Sequence, residues 1–253
     1  MAKQFICMKW GTKYGGEYVN RLYDSIARNI STPFELTCFT DDGSNLHQQI
    51  KVQPLPDSGL DENAMDAKKG GDTWRKVALF MPSLAPIEGD ILYLDLDVVI
   101  TGPLDRFFDY EPGHFCVIHD WLEKRRGNES GNTSIVRFNL AEHQEIYHYY
   151  GKNQEEMLKR FRIEQQYVSW AAKEQCGSCK FWPSEWVESF KRSCRPIFPL
   201  NHFQEPKKPG VDCSVLVFHG YPTPEEAIDG YKGGLIKSCK AASWLKDYWN
   251  PES

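Results

Sequence analysis

Apolar and polar residues alternate so as to divide the chain into short apolar runs separated by amphipathic stretches. Residues 4–8 (QFICM) form a compact apolar run that predicts a buried strand. Gly15-Gly16 breaks the chain, and across 17–30 Val19, Leu22, Tyr23, Ile26 and Ile30 recur at helical spacing. Pro33 follows that helix, and 34–40 (FELTCFT) reads as a second strand. This β-α-β opening predicts a parallel sheet with helices on its faces. Residues 43–72 are rich in Gly, Asp, Pro and Asn and predict a long loop with one short strand at 50–53. Loops of that length inside a compact domain are often binding loops.

Further along, 73–84 predicts a helix limited by Pro82, and Gly89-Asp90 a turn. Residues 91–94 (ILYL) are apolar on both faces, as a central strand is, and the pattern resumes at Val98-Val99-Ile100. Residues 114–119 and 133–138 read as strands with a polar loop at 123–131 between them. The stretch 140–173 is helical in composition with a break near Gly151, and 176–212 is Pro- and aromatic-rich and irregular. A last apolar strand, 214–218, delivers His219-Gly220. With no repeat and no linker, the expectation is a single α/β domain over 1–253.

Composition narrows the function classes. The 253 residues carry 30 Lys and Arg against 35 Asp and Glu, a net charge of −5. That balance argues against a nucleic-acid partner, which needs clustered bases. The apolar and charged fractions, 41% and 26%, exclude disorder, collagen-like repeats and coiled coil. Eight Trp, twelve Tyr and fourteen Phe leave room for a ring-walled pocket. The apolar start is too short for a signal peptide, and no run reaches the ~20 apolar residues of a membrane helix. The expectation is a cytoplasmic protein with reduced thiols. Cys176-Gly-Ser-Cys179 has zinc-knuckle spacing, but Cys194 and Cys213 stand apart. The pair therefore reads as free thiols, with zinc held by these four as the alternative.

The chemistry concentrates at Asp95-Leu96-Asp97. On an extended chain, side chains at i and i+2 share one side, so both carboxylates converge while Leu96 packs away from them. They follow a central strand, at the edge where open α/β sheets bind ligands. Two uncompensated carboxylates this close raise each other's pKa unless a cation lies between them. Hard divalent ions such as Mn²⁺ or Mg²⁺ take oxygen ligands of this kind. His219, at the end of another apolar strand, is a candidate third ligand.

The run Ile91-Leu92-Tyr93-Leu94-Asp95-Leu96-Asp97-Val98-Val99, followed by Gly102-Pro103-Leu104, resembles the DXD segment of GT-A glycosyltransferases. It is closest to the family 8 type that includes glycogenin and bacterial lipopolysaccharide galactosyl- and glucosyltransferases. Other segments match that family's order. These are Lys76 in the helix before the DXD strand, Asn132-Thr133-Ser134-Ile135-Val136, Glu164-Gln165-Gln166 in place of "D-Q-D", and Phe218-His219-Gly220 with Pro222 and Pro224. The family's Lys after the C-terminal His has no direct counterpart; Lys232 is one candidate for that charge, a solvated loop lysine the other reading.

The resemblance implies a GT-A (Rossmann-like) fold with a mostly parallel sheet flanked by helices. Residues 1–140 would form the nucleotide-sugar part and 141–253 the acceptor side with the metal-ligand His. It implies a metal-dependent hexosyltransferase of polysaccharide biosynthesis, using a UDP-hexose donor with retention. Asp95, Asp97 and His219 would bind the metal, and Lys76, Asp95 and Asn132 the donor. Trp10, Thr12 and Tyr14 would line the base site. Gln165 or Glu164, with Asp120, are the catalytic candidates; Asp120 reads equally as a turn residue. Trp74 and Arg75 read either as site residues or as packing and surface pairing. The acceptor, a glycan or a glycolipid with peripheral membrane contact, would meet 176–212, where Trp182, Trp186, His202 and Phe203 lie. A sugar nucleotidyltransferase of related fold and a non-catalytic carbohydrate-binding protein are the alternatives.

Overall fold

The computed structural model describes residues 2–66, 71–84 and 87–250; positions 67–70 of the expected long loop lie outside them. Ten strands occur among them: β1 (Lys3–Lys9), β2 (Phe34–Thr40), β3 (Lys51–Pro54), β4 (Asp90–Leu94), β5 (Val98–Ile100), β6 (Cys116–His119), β7 (Gly131–Asn139), β8 (Lys180–Phe181), β9 (Val187–Ser189) and β10 (Val215–Val217). Seven of them form the main sheet in the order β3-β2-β1-β4-β7-β6-β8. The first four run parallel, β7 is antiparallel to both β4 and β6, and β8 is parallel to β6. β5, β10 and β9 form a second, small sheet.

The expected β-α-β opening is present, with helix Gly16–Asn29 between β1 and β2. Side chains alternate across the main sheet. Ile6, Met8, Ile91 and Tyr93 enter one buried cluster together with Trp74, Val77, Tyr150 and Tyr167. Phe5, Cys7, Leu92 and Leu94 enter the cluster on the other face with Val19, Leu22 and Ile26 of the first helix. Val98 and Ile100 of the small sheet join that second cluster, while Val99 and Leu216 face a third, C-terminal one. Arg137 is fully buried in β7 and donates to the carbonyls of Phe107, Phe108, Tyr110, Glu111 and His114. It thereby satisfies the end of the short helix Arg106–Asp109 without an acidic partner.

Three local expectations are corrected, and a fourth is placed more closely. The helix expected at 73–84 is a 3₁₀ helix, Gly71–Phe80. Its three-residue period puts Trp74, Val77 and Phe80 on one buried row and leaves Thr73 and Lys76 on another. The polar loop expected at 123–131 begins as a helix, Trp121–Arg126, with no buried residue. Asp120 caps it by accepting from the Leu122 and Glu123 amides, and left-handed Gly127 ends it. The break expected near Gly151 is present as a kink two residues on, at Asn153, inside helix Glu145–Arg160. There the Asn153 side chain donates to the Tyr149 carbonyl and competes with the helix ladder. The segment 176–212 is not wholly irregular, since β8 and β9 lie within it.

Candidate active site

An open cavity of about 730 Å³ lies at the carboxyl ends of β1 and β4. Met8, Trp10, Lys13, Tyr14, Thr73, Lys76, Tyr93, Asp95, Leu96 and Asp97 line it. A second cavity of about 660 Å³ shares Met8 and Trp10 and adds Leu55, Asp57, Ser58 and Arg75. Thr12 is exposed in the turn after β1 and does not line either one. Trp74 belongs to the core: it is fully buried and stacks on Tyr150 with ring centroids 5.3 Å apart.

The Asp95 amide still pairs with β7, donating to the Ser134 carbonyl at 2.9 Å. That bond pins the end of β4 and turns both carboxylates into the cavity. Asp95 Oδ1 accepts from Lys76 Nζ and from the Tyr93 hydroxyl, each at 2.6 Å. Asp97 Oδ2 accepts from the Tyr14 hydroxyl at 2.9 Å. Burial and the neighbouring Asp95 push the Asp97 carboxyl up to about 6, against the Tyr14 hydrogen bond, Lys13 and Lys76. Lys76 is deeply buried, which disfavours its charge, yet Asp95, Glu164 and Asp97 outweigh burial and hold the ammonium protonated. Lys76 and Lys13 thus face three acids, and the group of Asp95, Asp97 and Glu164 remains short of positive charge.

Behind this wall lies Glu164, the first residue of helix Glu164–Glu174. Its Oε2 accepts from Thr133 Oγ1 at 3.1 Å, and its buried Oε1 has no hydrogen-bond partner. Burial raises its pKa to about 7, with Lys76 opposing and Asp95 adding to the rise. Gln165 points differently. It accepts from Asn132 Nδ2 at 3.2 Å and donates to Asp120 Oδ2 at 3.4 Å. Asn132, Gln165 and Asp120 therefore form one chain, in which Asp120 keeps Oδ1 for the helix cap.

His219 stands elsewhere. Its Nε2 lies 2.7 Å from Ser189 Oγ, and its ring stacks on Trp121. Burial and then Lys191 and Arg192 lower its pKa to about 4, so the imidazole is neutral. Among the described residues no three His, Cys, Asp or Glu side chains gather closely enough to hold a metal ion. The expected set of Asp95, Asp97 and His219 is therefore not assembled as one cluster, and neither is a zinc site of cysteines. Cys176 and Cys179 are free thiols whose pKa burial raises to about 11 and about 12. Lys232 is exposed; the lysine beside His219 is Lys191, which donates to the His219 carbonyl.

No protein-family model matches the sequence, and no curated protein is significantly similar to it. Solved structures do match in three dimensions. The galactosyltransferase LgtC, in complex with donor and acceptor sugar analogues, aligns with a TM-score of 0.61 over 87% of this chain and 88% of its own, at 13% identity. The glycosyltransferase GlyE of Streptococcus pneumoniae aligns at 0.58 over 92% of this chain and 58% of its own, at 11% identity. Mouse xyloside xylosyltransferase 1 aligns at 0.54 over 88% and 98%, at 14% identity. The chain has the GT-A glycosyltransferase fold.

Within this GT-A fold the expected acceptor residues divide. Trp182 is buried edge-on against Phe107 and donates to the Ile135 carbonyl. Trp186 packs on Phe107 and Tyr110 under the Arg106 guanidinium. Both serve packing, while His202 and Phe203 are on the surface. Sequence reasoning missed Tyr93 and Lys13 in the cavity wall, and Lys191. The only sequence signal for Lys191 is a basic pair after Phe190.

Proposed function

We propose that the protein transfers a hexose from a nucleotide sugar, a UDP-hexose, to a hydroxyl of a glycan or lipid-linked acceptor. The observation that carries this reading is the carboxylate pair Asp95 and Asp97 in the wall of the large cavity, short of positive charge. The pair suits a hard divalent ion such as Mn²⁺, which Asp95 and Asp97 would hold with room for a diphosphate beside it. Bound there, that ion would supply charge stabilisation to a departing diphosphate. Lys76 adds positive charge on the same wall, and Trp10 and Tyr14 offer rings for the base.

In the transfer, the bond from the anomeric carbon to the diphosphate oxygen breaks and a bond to the acceptor oxygen forms. The acceptor proton leaves with the diphosphate. Gln165, held between Asn132 and Asp120, is the residue assigned to stabilising the developing positive charge on the sugar, with retention of configuration. It is supported by an LgtC variant described as an active-site glutamine-to-glutamate mutant. His219, expected as a third metal ligand, would have to leave Ser189 to join the carboxylates.

The test is UDP release from a panel of UDP-hexoses with Mn²⁺, read together with thermal shifts on adding UDP. Release with one hexose, and a Mn²⁺-dependent shift, are expected. No release from any donor and no such shift would falsify the reading. Pyrophosphate production from a nucleoside triphosphate and a sugar phosphate would favour a nucleotidyltransferase instead.

A further inference from the structure

Two loop tips near the C-terminal cluster expose large apolar side chains. One is the segment 197–203, where Ile197 is 78% and Phe203 74% exposed, with Phe198 and Leu200 also open to solvent. The other is the tip of the hairpin closed by Tyr231 and Cys239, where Leu235 is 69% and Ile236 70% exposed. Side chains bond the two tips together. Asn201, itself buried, donates through Nδ2 to the carbonyls of Leu235 and Ser238, each at 2.9 Å. His202 Nε2 lies 2.8 Å from the Leu235 carbonyl, and Arg195 Nη1 donates to the Lys237 carbonyl at 2.9 Å. The apolar residues are therefore presented by a cross-linked scaffold, not by loose loops. A solvent-exposed apolar group of this kind marks a contact surface.

Its surroundings indicate the partner. In a chain of net charge −5, residues 190–208 and 231–246 together hold nine Lys and Arg and a single acid, Glu205. Lys191, Arg192, Arg195 and Lys237 lie close together in space, Arg195 bonding the Lys237 carbonyl directly. Apolar tips rimmed by bases match an anionic lipid surface, where each base near the headgroups adds attraction and the apolar groups enter the interface. No helix among the described residues is long and apolar enough to cross a membrane, so the contact would be peripheral.

We propose that the paired tips 197–203 and 234–237 are a docking face for an anionic membrane surface. On the glycosyltransferase reading, docking would present a lipid-linked acceptor to the sugar donor; the docking itself does not depend on that reading.

The test is co-sedimentation of the full chain with vesicles of phosphatidylcholine alone, or of phosphatidylcholine and phosphatidylglycerol in equal parts. Binding to the anionic vesicles only, falling with added salt, is expected. L235S/I236S and R192Q/K237Q should each weaken it about tenfold or more. L235S/I236S should keep the wild-type melting temperature and the wild-type response to UDP. No binding to anionic vesicles, or binding that both variants retain, overturns the proposal. So does a dimer in sedimentation that L235S/I236S dissolves without any vesicle binding, which would make a second copy of the chain the occupant. Loss of vesicle binding with UDP release intact, or the converse, separates this inference from the proposed activity.

Discussion

Around Asp95 and Asp97, single side chains decide what the cavity holds. Burial beside a second acid pushes the Asp97 carboxyl up to about 6, and on the proposed function a bound cation would compete with that proton. Mn²⁺-dependent UDP binding should therefore strengthen as pH rises through about 6, as an isothermal titration series would show. Asp97→Asn can still accept from Tyr14, so it should abolish that binding while leaving the melting temperature near wild type; unchanged binding would remove Asp97 from the site. Glu164 gives a separate signal. Its folded pKa of about 7 lies above its ordinary 4.5, so its contribution to stability is complete below 4.5 and is lost as pH rises toward 7. Urea unfolding should show the loss, at most about 3 kcal/mol, between about pH 5 and about pH 8, and Glu164→Gln should flatten it. The two aspartates were legible because they directly follow the apolar run of β4, although Leu96 and Asp97 form a turn into β5 and not the extended chain expected. The environment of Glu164 was not, because Thr133 and Lys76 come from elements whose packing no local pattern encodes.

Among the elements, helix Trp121–Arg126 shows how a site can rest on a cap. It buries no residue, so the Asp120 bonds to Leu122 and Glu123 hold its start. Asp120→Ala should cost about 1 kcal/mol in urea unfolding, and Asp120→Asn, which keeps an accepting oxygen, should restore most of it. Both reread the oxygen facing Gln165, so a loss of UDP release in Asp120→Asn with stability restored would separate the two roles. Gly131, where β7 begins, is closely enclosed. An added Cβ would lie 2.9 Å from Val117 Cγ1 and 3.0 Å from Ser169 Cβ. Gly131→Ala should therefore destabilise by about 1–3 kcal/mol and disturb Asn132 next to it, checked by the same unfolding series. β1, β2, β4, β5, β6, β7 and β10 were legible from their apolar runs, whereas the short β8 and β9 were not. The Trp121–Arg126 helix escaped detection because it has no apolar stripe, only caps, and the 3₁₀ winding of 71–80 leaves the same apolar residues inside that an α-helix would.

Across the whole molecule, the sheet order brings together residues that are distant in the chain. Four parallel strands were foreseeable from the β-α-β opening, but the reversal of β7 between β4 and β6 was not, since an apolar run carries no direction. That reversal has an engineering consequence. Parallel β1 and β4 end at the cavity, whereas antiparallel β7 begins at that end of the sheet, so Asn132 and Thr133 stand at the start of a strand whose register Ser134 and Asp95 lock. A lengthened connection upstream is absorbed before that lock. Residues inserted between exposed Asn128 and Glu129 should cost roughly 1 kcal/mol of loop closure and leave UDP release unchanged. The connection between β6 and β7 is thus a graft point, where a foreign recognition loop can be set beside the cavity mouth without rebuilding the strands beneath it.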